Sequence, residues 1–434
     1  MPDVISDGTI VGQGRGRAKP KYRVHELLGS GGTATVYRCS RLPSDKEEAK
    51  IKERESENKS KTKKKNGKKD KDAAYPERST GDTDAKRTDS QSTEGGATGS
   101  ESDPSKETEY AVKVFNLKHM RMHYDFIRER ENLTREIEIL LNLRHDRIVR
   151  LVDHLEDPNN YYLIFSLVSG GELFERIVDK GGFSEKASAY VVIQMLVALR
   201  FIHSKHVVHR DLKPENILVA SVDKFPDDED AEDSGDHAYG VKLTDFGLSK
   251  LVAKNYSHAK TFVGTPQYLA PEVINALGDS SDSTSYDHSV DMWSLGVVAF
   301  VMLSGRYPFD GKSAPFEQQI KNLMFSVEGG RWEYVSDEAK AFLQKLIALK
   351  DDRMSLDAAW EHPWIKKWAA KFREIYKEDD MIWKMMDELD QPIIAEKSNS
   401  RLGLTVSTPV NSTSDLQRTT SQNSTNFSAV RFFI

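Results

Sequence analysis

Apolar side chains change period several times along this chain, and the changes divide it. From Tyr22 to Leu42, YRVHELLGSGGTATVYRCSRL carries two short alternating runs on either side of a glycine cluster, which predicts two strands and a turn. Residues 43–107 break the pattern, being almost entirely Lys, Glu, Asp, Ser, Thr and Gly. With so little to bury, this insert cannot offset its ordering entropy, and disorder is expected. Alternation resumes with EYAVKVF at Glu109. Ile127, Leu133, Ile137, Leu140 and Leu141 then recur near helical spacing up to about Leu143. Strands are expected at RIVRLVDHL and YYLIFSLV, and mostly helices from Glu172 to Ile365. A second insert, residues 221–239, interrupts them with seven carboxylates between Asp227 and Asp236.

The two ends read differently. Residues 1–21 are Gly-rich and polar, which suggests a flexible leader. Beyond the large helical region, Trp364, Trp368, Phe372, Ile375, Ile382, Met386 and Leu389 mark one face of a helix assigned to 366–392, with Pro392 just past its end. Residues 393–434 are Ser/Thr/Asn-rich, the composition of a disordered tail.

Composition narrows the class only a little. With 434 residues, 30% charged and 38% hydrophobic, the chain has room for one large domain or two ordinary ones. A net charge of -6 gives no pull toward nucleic acid or an anionic membrane, and neither is expected as a partner. One cysteine, Cys39, cannot build a disulfide framework or a cysteine zinc site. The start lacks a signal-type apolar run, and no stretch of about 18 apolar residues occurs. Cytosol or nucleus is therefore the default location, and the basic block KSKTKKKNGKKDK at 59–71 is compatible with nuclear import or with a solvated loop.

Five motifs carry chemistry. Leu28-Gly29-Ser30-Gly31-Gly32-Thr33-Ala34-Thr35-Val36 places glycines where a backbone could approach phosphates; alone, a Gly-rich hairpin turn looks the same. Ala111-Val112-Lys113 puts a lysine in an apolar strand, where it needs an anionic partner if buried. His209-Arg210-Asp211-Leu212-Lys213-Pro214-Glu215-Asn216, Asp245-Phe246-Gly247, and Gly264-Thr265-Pro266 running on to Ala270-Pro271-Glu272 follow in that order.

With these five in sequence, the region from Tyr22 to Ile365 resembles the eukaryotic protein kinases. The resemblance implies an α+β, bilobal fold, with a small β-rich N-lobe above a larger helical C-lobe and ATP in the cleft between. It implies that Lys113 pairs the α- and β-phosphates, held by Glu136, while Asn216 and Asp245 ligate Mg2+. Asp211 would meet the substrate hydroxyl, and Lys213 the transferring phosphate. Gly29, Gly31, Leu28, Val36, Ala111 and Leu218 would surround the nucleotide, Ser166 to Val168 would face the adenine edge, and Phe165 would close the back of the pocket. Ala34 replaces the third glycine of the phosphate loop, from which slightly altered nucleotide affinity is expected.

Lys213 within DLKPEN marks the serine/threonine type, and the surrounding text resembles the calcium/calmodulin-dependent group. Within that group it is most similar to checkpoint effector kinases, without the forkhead-associated domain that usually precedes them. The acidic Glu172 and Glu215 match positions that receive arginine three residues before the target, which predicts a basophilic enzyme. Glu172 could instead cap a helix or touch the ribose. Arg210 implies a phosphorylated activation loop, with Thr261 and then Ser257 as acceptors, placed there by an upstream kinase, and Thr265 in the substrate-docking wall. Arg418 stands three residues before Ser421, a candidate autophosphorylation site. Glu272 with Arg353, and Asp291, are expected to be structural. The aromatic and partly basic helix after Trp364 fits a calmodulin-target or autoinhibitory helix, and equally a plain extra helix on the large lobe.

Overall fold

The computed structural model describes residues 5–12, 20–30, 34–44, 109–117, 134, 137–227, 236–246, 266–278, 287–376 and 380–390. The alternating runs form one antiparallel sheet in the order β1-β2-β3-β4-β6-β5. Its strands are β1 (Ile10–Val11), β2 (Tyr22–Ser30), β3 (Ala34–Arg41), β4 (Glu109–Asn116), β5 (Leu151–Glu156) and β6 (Asn160–Ser166). β3 and β4 pair without a break from Ala34↔Phe115 to Ser40↔Glu109, so the long insert leaves and re-enters at one end of a regular ladder. A loop closing there costs little extra with length, which is why so long an insert is tolerated.

The period of two decides which face each side chain serves. On β4, Val112 and Val114 join Tyr22, Val24, Tyr37, Cys39 and Ile164 in an outer cluster. Phe115, next after Val114 and so on the opposite face, belongs to the main core with Ala34. Ala34, which stands where the third glycine is expected, is thus a buried residue of the core opposite its strand partner Phe115. The expected flexible leader is corrected here. Residues 5–12 run along the sheet, Val11 lies in the outer cluster, and the Ile5 amide donates to the Tyr37 hydroxyl at 3.0 Å. The sequence hid this because a two-residue strand leaves no readable period.

Below the sheet lie α1 (Leu173–Lys180), α2 (Glu185–Ser204), α3 (Pro271–Gly278) and α4 (Ser289–Ser304). α5 (Phe316–Lys321), α6 (Asp337–Leu346), α7 (Leu356–Trp360), α8 (Pro363–Ile375) and α9 (Asp380–Asp390) complete the lobe. α2 is apolar and long enough to cross a membrane by composition, yet 89% of its apolar window is buried as the centre of this core. Ser184, Ser336 and Ser355 cap α2, α6 and α7 by accepting amide hydrogens.

Two other expectations change. The insert assigned to 221–239 is shorter, because β7 (Ile217–Asp223) and β8 (Ala238–Leu243) form a hairpin on either side of it. Its base is anchored by fully buried Phe225, by Lys186 on Asp227 at 2.5 Å, and by Ser184 on Asp236 at 2.7 Å. The single helix assigned to 366–392 is two helices, α8 and α9. Their apolar face is spent on the large lobe: Trp364, Ile365, Phe372, Met386 and Leu389 are all buried. Glu185 receives hydrogen bonds from the indoles of Trp364 and Trp368 and from the Ser336 amide and hydroxyl.

Candidate active site

The β7–β8 hairpin presents the chemistry. Its two flanks carry Pro214-Glu215-Asn216 on entry and Thr244-Asp245-Phe246 on exit, tied where the Thr244 amide donates to the Asn216 carbonyl at 3.0 Å. The His209 ring donates from Nε2 to the Thr244 carbonyl at 2.8 Å, its Nδ1 accepting the Asp211 amide, and it stacks obliquely on Phe246 at 5.1 Å. Arg210 and Asp245 both adopt positive φ, 65° and 64°, a conformation that non-glycine residues hold only where surroundings impose it.

For the first of them the imposing group is Asp291, at the start of α4 and fully buried. Its Oδ1 accepts the Arg210 amide at 2.8 Å, and its Oδ2 accepts the His209 amide at 2.9 Å and faces His203 Nε2 at 2.8 Å. Burial alone would raise this carboxyl, but the His203 contact and the two amides outweigh it and hold the pKa below the usual range. Arg353 grips Glu272 with both guanidinium nitrogens, at 2.6 and 3.0 Å. Both structural assignments made from sequence therefore have their contacts.

Five expected side chains come together in two contacts on the flanks of this hairpin. Asn216 Nδ2 donates to the Asp211 carbonyl at 2.7 Å and to its carboxylate at 3.1 Å. Lys213 Nζ stands 3.6 Å from Asp211 Oδ2. Lys113, from the middle of β4, reaches across and ion-pairs with Asp245. All five groups are buried or half-buried. Because Asn216 spends its nitrogen on Asp211, its amide oxygen is the atom left for a cation, with Asp245 next to the Thr244 that is tied to the Asn216 backbone. That donor set of hard oxygens fits Mg2+. Glu136, the partner expected for Lys113, lies outside the described residues, as do Gly31, Ser257, Thr261, Thr265 and Ser421. The contact of Lys113 with Asp245 carried no sequence signal, being a pairing 132 positions apart.

The residues expected to line the nucleotide lie mainly on β2, β3, β4, β6 and the β7–β8 hairpin. Ala111 pairs with Phe165 across the β4–β6 ladder, Val36 pairs with Lys113, and Ser166 ends β6. Leu218 bridges to Glu172. Val36, Ala111, Phe165, Ser166, Val168 and Leu218 are all half-buried, and Leu28 beside Gly29 is 42% exposed.

Glu172 and Glu215 behave unlike the aspartates. Glu172 stands at the N-terminus of α1 but makes no side-chain cap bond. Burial raises its pKa to about 7, with Glu215 and Glu175 adding and Lys213 opposing. Glu215 is also raised, first by burial, and its Oε2 is buried with no hydrogen-bond partner. Two desolvated carboxylates this close form a site that a cation would relieve.

Comparison with known proteins agrees with this geometry. Residues 96–365 match the protein kinase domain family. The chain is 35% identical to the probable serine/threonine-protein kinase fhkC of Dictyostelium discoideum, over 63% of this chain and 42% of that protein. It is 37% identical to myosin light chain kinase A of the same organism, over 59% of this chain and 79% of that one. With calcium/calmodulin-dependent protein kinase type 1 of Caenorhabditis elegans it shares 36%, over 62% and 69%. A crystal structure of Rad53 residues 1–466 in complex with AMP-PNP superposes with a TM-score of 0.50 at 27% identity, over 79% of this chain and 65% of that one. The chain thus spans well under half of the first relative's length. The matched span begins inside the long insert, so β2 and β3 join the domain only through the sheet.

Proposed function

The chain belongs to the protein kinase domain family, that of ATP-dependent protein serine/threonine kinases, and from that premise we propose that it transfers the γ-phosphate of ATP to serine or threonine of basic protein segments. The carrying observation is the cluster in which Asn216 orients Asp211, Lys213 stands beside it, and Lys113 meets Asp245. Asp211 is placed to orient the incoming hydroxyl and accept its proton, and Lys213 to offset charge on the phosphoryl group in flight. Asn216 and Asp245 would hold Mg2+, which supplies further neutralisation of phosphate charge when bound.

The unpaired carboxylates of Glu172 and Glu215 support arginine at the third position before the acceptor, since a guanidinium would satisfy both. Activation by an upstream kinase at Thr261 or Ser257, and autophosphorylation at Ser421, belong to the same proposal, as does a cytosolic or nuclear location. Calmodulin control is suggested by the aromatic, partly basic helix after Trp364 and by the name of the type 1 relatives. The burial of Trp364, Phe372 and Met386 weighs against it, because calmodulin would have to strip that face from the lobe. Radiolabelled ATP with an Arg-bearing peptide tests the proposal: wild-type protein should label it and Asp211→Ala should not. Equal labelling by both proteins would reject the assigned mechanism.

A further inference from the structure

Helix α9 packs against the large lobe and reaches His145, just before the loop that pairs with β8. Its apolar side is seated by Met385, Met386 and Leu389. Its last residue, Asp390, accepts from the Trp360 indole at 3.0 Å and from Arg373 at 2.5 Å. Glu388 takes no part in this anchoring. Its carboxylate, 39% exposed, instead reaches His145 Nε2 at 2.9 Å, while the His145 side chain is only 9% exposed and stacks on Phe201 of α2 at 4.8 Å.

The other ring nitrogen fixes what that contact means. His145 Nδ1 accepts the Arg147 amide hydrogen at 3.0 Å, so the ring proton must sit on Nε2. A carboxylate at Nε2 selects that tautomer, as an outer partner does for a metal-bound imidazole. Without it the proton is free to move to Nδ1, where it would meet the Arg147 N–H head on. Arg147 in turn pairs with the metal-ligand strand: its carbonyl accepts the Leu243 amide at 2.8 Å, and the Leu243 carbonyl accepts the Val149 amide at 2.8 Å. Leu243 is two residues before Asp245. The Arg147 guanidinium adds a second tie, donating to Gln194 Oε1, which also accepts the Val241 amide of the same strand.

We propose that Glu388 is a positioning residue for Asp245, acting by holding the His145 tautomer that lets residues 147–149 lock the end of β8. The metal role of Asp245 rests on the kinase reading above; the positioning does not. Continuity of hydrogen bonds is spatial until coupling is measured, so the test must read the strand itself.

Hydrogen exchange on the ligand-free full chain does so. Glu388→Ala should speed exchange at residues 147–149 and 241–246 and leave the core helix α4 unchanged. Glu388→Gln, which still accepts from Nε2, should exchange like wild type. Calorimetry should show MgADP bound about threefold to tenfold more weakly by Glu388→Ala, the worth of one hydrogen bond, with metal-free ADP unaffected. His145→Ala should give the same loss without adding to it. Unchanged exchange at Leu243 in Glu388→Ala would overturn the proposal, and so would faster exchange that extends equally through α4. Faster exchange confined to the strand, in a protein whose wild type binds no MgADP, would uphold the positioning and sink the kinase reading.

Discussion

Two sets of carboxylates share one cleft and are treated in opposite ways. Asp211 and Asp245 each have a lysine beside them, and Asp211 an amide donor as well. Glu172 and Glu215 are desolvated near one another, raised in pKa, with one oxygen of Glu215 left without a partner. Satisfying the first set inside the protein fixes geometry before any ligand arrives, which is what phosphoryl transfer demands of a catalyst. Leaving the second set unsatisfied stores a preference for an incoming cation, which is what substrate selection demands.

Substitutions should separate the two sets, and the largest effect belongs to the first. Asp211→Ala should lower kcat by about 10²- to 10⁴-fold with little change in thermal unfolding, measured by steady-state labelling and calorimetry. Asp291→Ala should follow, because it strands the buried His209 amide, the half-buried Arg210 amide and an imidazole. It should cost about 3–5 kcal/mol of stability in denaturant unfolding and lower kcat as Arg210 loses its enforced φ. Glu172→Gln with Glu215→Gln should raise KM for an Arg-bearing peptide about tenfold, leave kcat near wild type, and not lower the unfolding midpoint, since a desolvated like-charge pair is removed. If that pair of substitutions lowers kcat as much as Asp211→Ala does, the division between the two sets fails.

The smallest effect is on pH. Glu172 ionises near 7, so raising the pH from 6 to 8 adds negative charge to the peptide site. KM for the Arg-bearing peptide should therefore fall several-fold over that range, while KM for a peptide lacking Arg stays level. Parallel profiles for the two peptides would remove Glu172 from recognition.

Legibility followed the length of the signal. The strands at Tyr22, Ala34 and Glu109 were readable because four or more side chains share each face, and that at Asn160 because a short apolar run is bounded by polar residues. The catalytic loop was readable because its residues lie within eight consecutive positions. The hairpin at 217–243 was misjudged at its edges, since residues such as Ser221 and Asp223 are polar yet still extend the ladder. The tail was read as one helix because the apolar period runs on through the break between Ile375 and Asp380.

Sequence alone determined the family and the lobes and named the candidate reacting groups, because the chemistry requires particular side chains at short fixed spacings along one loop. Only tertiary structure decided that Lys113 meets Asp245, that residues 5–12 belong to the sheet, that Glu185 gathers two tryptophans, and that Glu388 reaches His145. Each of these joins elements far apart in the chain, where no local period records the partner and burial is settled by packing.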